Sequence, residues 1–113
     1  MTRKASGLKA WALQRVTAIY IGLFAFYLLL ALMFDKPATY QAWVSWFADP
    51  IMGIATLVFI VSILLHAWVG IRDVIIDYVK PIAVRATLLA LIALSLLACG
   101  LWASQSLILV RLI

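Results

Sequence analysis

The chain has 113 residues, of which 68% are hydrophobic and only 12% charged, with a net charge of +5. A soluble domain is roughly half apolar and about a quarter charged, and one this small leaves much of its surface exposed. No soluble fold hides so much apolar surface, so the surroundings are lipid and no soluble domain fits beside the membrane part. The charge does not signal nucleic acid. The basic residues lie at the ends of apolar segments, where they set orientation and meet anionic head groups.

The N-terminal stretch carries Arg3, Lys4, Lys9 and Arg15, and residues 16–34, "VTAIYIGLFAFYLLLALMF", then carry no charge. A helix needs ~20 apolar residues to cross the hydrocarbon core. The run is longer than the ~7–15 residues of a signal-peptide core, and no small-x-small cleavage site follows it. An uncleaved first span is expected over about 12–34. The next stretch, "DKPATYQAWVSWFADP", begins and ends with Asp and Pro. Within it Tyr40, Trp43, Val44 and Phe47 fall at helical spacing, with Trp46 beside them. This predicts a short amphipathic segment over about 39–47, lying in the outer interface where Trp and Tyr prefer to sit.

Residues 51–71, "IMGIATLVFIVSILLHAWVGI", hold a single ionisable group, His66. A second span is expected over about 51–76. Residues 86–110 carry no charge and predict a third span over about 83–110. The one cysteine, Cys99, sits in that run and makes no intrachain disulfide; it reads as helix packing. Arg3, Lys4, Lys9 and Arg15 precede the first span, and Arg72, Lys80 and Arg85 separate the second from the third. Only Lys36 and Arg111 fall on the other side. The positive-inside rule puts the N-terminus and the second loop in the cytoplasm and the C-terminus outside. The expected fold is an all-α membrane protein of three transmembrane helices, a single anchor domain with no internal repeat.

His66 is the only histidine. It lies about five residues past the middle of its span, roughly 7–8 Å toward the cytoplasmic side. A polar group at that depth needs a partner, and an intramembrane ionisable residue points to function. Three roles are open: a helix-to-helix hydrogen bond, a metal or haem ligand, or a proton relay. Phe59, Ser62, His66, Gly70 and Asp73 form one stripe, and Asp77 falls almost on it. The small residues Ser62 and Gly70 leave room beside the imidazole for a flat macrocycle or a close helix. With one histidine, a bis-histidine haem takes its second ligand from another chain and sits at a subunit interface.

The segment "HAWVGIRDVIIDYVKP" closely resembles the second helix and following loop of the hydrophobic "D" anchor subunit of bacterial succinate dehydrogenase, respiratory complex II. "LQRVTAIYIGLFAFYLL", residues 13–29, resembles the start of that subunit's first helix. The related "C" anchor has a similar His-x-x-x-Gly-x-Arg segment but usually carries a Ser-rich, His-Arg element before its first helix. Here the sequence reads Gln14–Arg15–Val16–Thr17.

The resemblance implies that one b-type haem lies between two anchor subunits, with His66 as an axial ligand to its iron. The other ring nitrogen of His66 then needs an acceptor, for which Ser62 is a candidate. Arg15 is implied as the partner of a haem propionate, a group that suits a guanidinium, while Arg72 reads as a snorkelling helix-end cation. Tyr78, read as lying just beyond the second helix, is implied to donate to a ubiquinone carbonyl, with Asp77 beside it near the quinone. The implied partners are the second, larger cytochrome b anchor, the iron–sulfur subunit, the flavoprotein and the bilayer, with no nucleic acid. On this reading the chain has no catalytic residue of its own; it serves succinate:ubiquinone electron transport in the tricarboxylic acid cycle. The expected location is a bacterial cytoplasmic (inner) membrane, since no long targeting extension precedes the first span. Two alternatives stand beside it: the anchor of a fumarate reductase, and a structural subunit of a membrane complex without haem.

Overall fold

The computed structural model describes residues 2–112, with side chains from Gly7 onward. The side chains of Arg3 and Lys4, counted above for orientation, lie outside that description. Four helices follow in order: α1 (Thr2–Phe34), α2 (Tyr40–Ala48), α3 (Pro50–Tyr78) and α4 (Ile82–Leu112). No strand occurs among the described residues. Gly7–Phe34, α3 and α4 are each long and apolar enough to cross a membrane, with 28, 29 and 31 residues. At ~1.5 Å per residue they exceed the ~30 Å hydrocarbon core, so their ends reach the head-group layers. In lipid the backbone has no water to bond, and the helix satisfies it internally.

Helix α1 begins at Thr2, well before the start expected near residue 12. That expectation followed the uncharged run. The preceding "KAWALQR" is rich in good helix formers and has no proline, so the helix continues into the head-group layer. Its last turn closes with Asp35 N–H donating to the Ala31 carbonyl at 2.8 Å, and Pro37 follows shortly after.

Thr39 caps α2, its hydroxyl accepting from Ala42 N–H at 3.1 Å. A single residue, Asp49, then ends α2 and starts α3. Its N–H donates to the Ser45 and Trp46 carbonyls, while its carboxylate accepts from Ile51 and Met52 N–H at 3.1 Å. Pro50 occupies the first turn of α3, where no donor is needed. Such a cap contributes ~1 kcal/mol.

The link from α3 to α4 is Val79, Lys80 and Pro81. Arg85 reaches back over it: Nε donates to the Val79 carbonyl and Nη2 to the Ile76 carbonyl, both at 3.1 Å. A cation on the last carbonyls of a helix also suits the helix dipole.

Helix α3 lies in the middle, with α1 and α4 packed on it and no contact between those two among the described residues. The α1–α3 register is antiparallel. The Phe24 and Phe59 rings are 4.7 Å apart between centroids, Thr17 meets His66, and Gln14 lies beside Gly70. Each step of three to seven residues along α1 matches a similar step back along α3. The stripe Phe59, Ser62, His66, Gly70, Asp73 is thus the face that α3 presents to α1. On the α4 side, a Cβ added to Gly100 would collide with Leu64 Cδ1, so glycine there permits the close approach of the two helices.

Few side chains are buried. Phe24, Met52, Val69 and Ile75 make the apolar core, and Thr17 and Ser62 are the buried polar residues. Large apolar side chains cover the outside, from Leu23 and Phe26 on α1 to Leu101 and Trp102 on α4. This is a surface for lipid and partner helices rather than water.

Candidate functional site

With α1 and α4 both antiparallel to α3, the N-terminus of α1, the C-terminus of α3 and the N-terminus of α4 gather at one end. Lys9, Arg15, Arg72, Lys80 and Arg85 lie toward this basic end, and Lys36 and Arg111 at the opposite one.

His66 sits on α3 against α1 and is half-buried. Its Nδ1 lies 3.0 Å from the Thr17 hydroxyl oxygen. Thr17 is only 4% exposed, and its hydroxyl is also 2.7 Å from the Leu13 carbonyl and 3.2 Å from that of Gln14. Nε2 has no hydrogen bond among the described residues and is not sealed from the surface of the chain. Ser62, a candidate partner of the ring, is buried on the same helix but does not bond it. The partner comes from the facing helix instead, because the α1–α3 register sets Thr17 level with the ring.

One turn closer to the basic end, Gln14 packs beside Gly70, and its Oε1 is buried with no partner among the described residues. Gln14 also lines a cleft of about 340 Å³ with Gly7, Ala10, Trp11, Arg72 and Asp73. Arg72 pairs there with its neighbour Asp73 at 3.1 Å. Both are solvent-side groups, so the pair contributes little to stability.

The remaining candidate residues are not brought to His66. Arg15 is exposed and lies over the Trp11 ring, 5.4 Å from its centroid. It precedes Thr17 by two residues, about 200° around the helix, and so faces away from α3. Along the axis it is only ~3 Å nearer the basic end than Thr17. Asp77 and Tyr78 are the last residues of α3 rather than the start of a loop. Tyr78 is 79% exposed, and twelve residues beyond His66 put it ~18 Å farther along the axis. It projects from the basic end with its hydroxyl unbonded among the described residues.

Two side chains were not given a role by sequence reasoning. Thr17 is one of several hydroxyl residues in the spans, and Thr56, Thr87, Ser95 and Ser106 likewise bond the carbonyl one turn back. Only Thr17 among them also reaches another helix, which no one-dimensional pattern reveals. Arg85 counted only as a cation at a helix end, yet it clamps the backbone next to Tyr78.

Comparison with known proteins agrees with this layout. Residues 1–102 match the family model described as succinate dehydrogenase/fumarate reductase transmembrane subunit. A succinate dehydrogenase hydrophobic membrane anchor subunit of Coxiella burnetii is 37% identical over 105 residues, covering 93% of this chain and 91% of the relative. Anchor subunits so named from Rickettsia conorii and Rickettsia felis are each 33% identical, over 79% and 80% of this chain and 71% and 76% of their own lengths. With three membrane-length helices, a matching family model over most of its length and one relative aligned nearly end to end, this chain belongs to the succinate dehydrogenase/fumarate reductase transmembrane subunit family.

Proposed function

We propose that the chain is the hydrophobic anchor of a succinate:ubiquinone oxidoreductase, holding one face of a b-type haem and one side of a ubiquinone site. The observation that carries the haem part is the state of His66: one ring nitrogen engaged by Thr17, the other free, at membrane depth. An imidazole oriented through one nitrogen is the arrangement a metal ligand needs. Bound there, haem would supply a one-electron carrier beside the quinone path. A second histidine ligand would have to come from another subunit, since this chain has no other histidine.

Arg15 is assigned to a propionate. It is exposed and lies only ~3 Å along α1 from Thr17, which meets His66. Tyr78 donates its phenol proton to a quinone carbonyl oxygen and stabilises the charge that builds there on reduction. Asp77, also exposed at the end of α3, orients a basic neighbour or passes a proton. The end bearing Lys9, Arg72, Lys80 and Arg85 faces the cytoplasm, where it meets the iron–sulfur subunit carrying the flavoprotein. Succinate oxidation occurs in the flavoprotein, and no residue of this chain takes part in it. The names of the relatives favour succinate dehydrogenase over fumarate reductase.

The test is to co-express the chain with its three partner subunits, show assembly, and record reduced-minus-oxidised visible spectra for wild type and His66→Ala. A b-type signal in the wild type that is lost or altered in the variant supports the ligand role. An assembled wild type without haem leaves His66 as a packing or proton-relay residue.

A further inference from the structure

We infer that Thr17 is the positioning residue that fixes the tautomer of His66 and tunes the haem held by it. The inference rests on the haem reading above and adds a residue and a direction to it.

A hydroxyl has one proton and two lone pairs. The Leu13 carbonyl offers only lone pairs, and it lies 2.7 Å from Thr17 Oγ1. Two oxygens at that distance are held together by a proton between them. The single Thr17 proton therefore points at Leu13, with the Gln14 carbonyl at 3.2 Å as a weaker second acceptor. Toward His66 the hydroxyl has lone pairs alone, so at 3.0 Å it accepts and Nδ1 carries the hydrogen. The opposite tautomer would turn the Thr17 proton to Nδ1 and leave two oxygen lone pairs opposed at 2.7 Å in a buried site. Neutral imidazole has one N–H, and with Nδ1 protonated the lone pair is on Nε2. That is the nitrogen left free at the surface of the chain.

Thr17 is thus a relay from backbone to ring. Its own orientation is locked by the α1 carbonyls and by burial, and the helix register carries that orientation to α3. The acceptor is a neutral hydroxyl, weaker than the carboxylates that often support ligand histidines. Removing it makes the imidazole a poorer donor, which disfavours the oxidised iron relative to the reduced one. The haem midpoint potential then moves upward.

The test compares Thr17→Val, which keeps the shape but not the hydroxyl, with Thr17→Ser, which restores it. Thr17→Ala supplies the same loss should the Val variant not assemble. Each is made in the four-subunit complex and read by potentiometric titration of the haem band and by the low-temperature EPR spectrum of the oxidised haem. The expected result is a raised midpoint and altered g-values in Val or Ala, and wild-type behaviour in Ser. A wild-type midpoint and spectrum in assembled Thr17→Val or Ala overturns the inference. Equal shifts in Val and Ser also overturn it, since they reflect packing rather than the hydroxyl. His66→Ala in the same series separates the two levels: unchanged haem there defeats the ligand reading itself, whatever Thr17 does.

Discussion

Replacing Tyr78 by Phe removes one oxygen and keeps the ring. The side chain is 79% exposed and its hydroxyl bonds no described residue, so the fold loses less than ~0.5 kcal/mol. A lost donor to a charge-developing oxygen typically lowers turnover by roughly 10²-fold. Succinate-to-ubiquinone turnover of assembled Tyr78→Phe complex is expected to fall on that order, while succinate oxidation by a soluble dye stays unchanged. Equal losses in both assays point to damaged assembly, and no loss in either removes Tyr78 from the quinone site. At this scale the sequence was partly legible. His66 stands out as the one ionisable group in the apolar run 51–71, and its pairing demand follows from lipid alone. Its partner was not legible, because Ser62 on the same helix and Thr17 on another satisfy the same demand on paper. The choice between them is made by packing: Phe24 against Phe59 and Gln14 against Gly70 set the register that brings Thr17 level with the ring.

Helices are where the sequence speaks most plainly, since uncharged runs of membrane length leave the backbone no other structure. Their ends are decided by different forces. Asp49 and Pro50 mark the start of α3 through capping chemistry visible in the letters. The start of α1 is not so marked, because a helix former in the head-group layer looks like a loop to a reading based on apolar runs. The end of α3 depends on a side chain from the next helix. Arg85 places two charge-assisted bonds on the Val79 and Ile76 carbonyls, and such bonds contribute ~1.5–3 kcal/mol before discount for partial exposure. Arg85→Ala is therefore expected to loosen the Val79–Pro81 link by about 1 kcal/mol. Limited proteolysis of the assembled complex should cut there faster, and the KM for quinone should rise because Tyr78 adjoins the freed link. Arg85→Lys should recover only part of the effect, since a single ammonium replaces a fork that spans two carbonyls.

The whole molecule is a row of three helices with α3 in the middle, 51 Å in its longest extent. A row buries little: α1 and α4 each keep an apolar face outward, and no described side chain is fully enclosed. Such a chain leaves apolar faces for neighbours, and the proposed haem and quinone sites would be completed by other subunits. Which end meets those soluble neighbours depends on orientation. The charge pattern assigns the end with Lys9, Arg15, Arg72, Lys80 and Arg85 to the cytoplasm and leaves Lys36 and Arg111 outside. The single native Cys99 makes the test direct. On a Cys99→Ser background in the assembled complex, Lys36→Cys in spheroplasts should react with a membrane-impermeant maleimide, and Lys80→Cys only after lysis. Lys80 adjoins the Tyr78 end of α3, so its sidedness is also that of the proposed quinone site. Labelling of Lys80→Cys from outside would turn Tyr78 away from the compartment that supplies the electrons. An iron–sulfur subunit docked in the cytoplasm would then face only Lys36, Arg111 and the interfacial helix α2, and the proposed path from succinate to quinone would have no route through this end of the anchor.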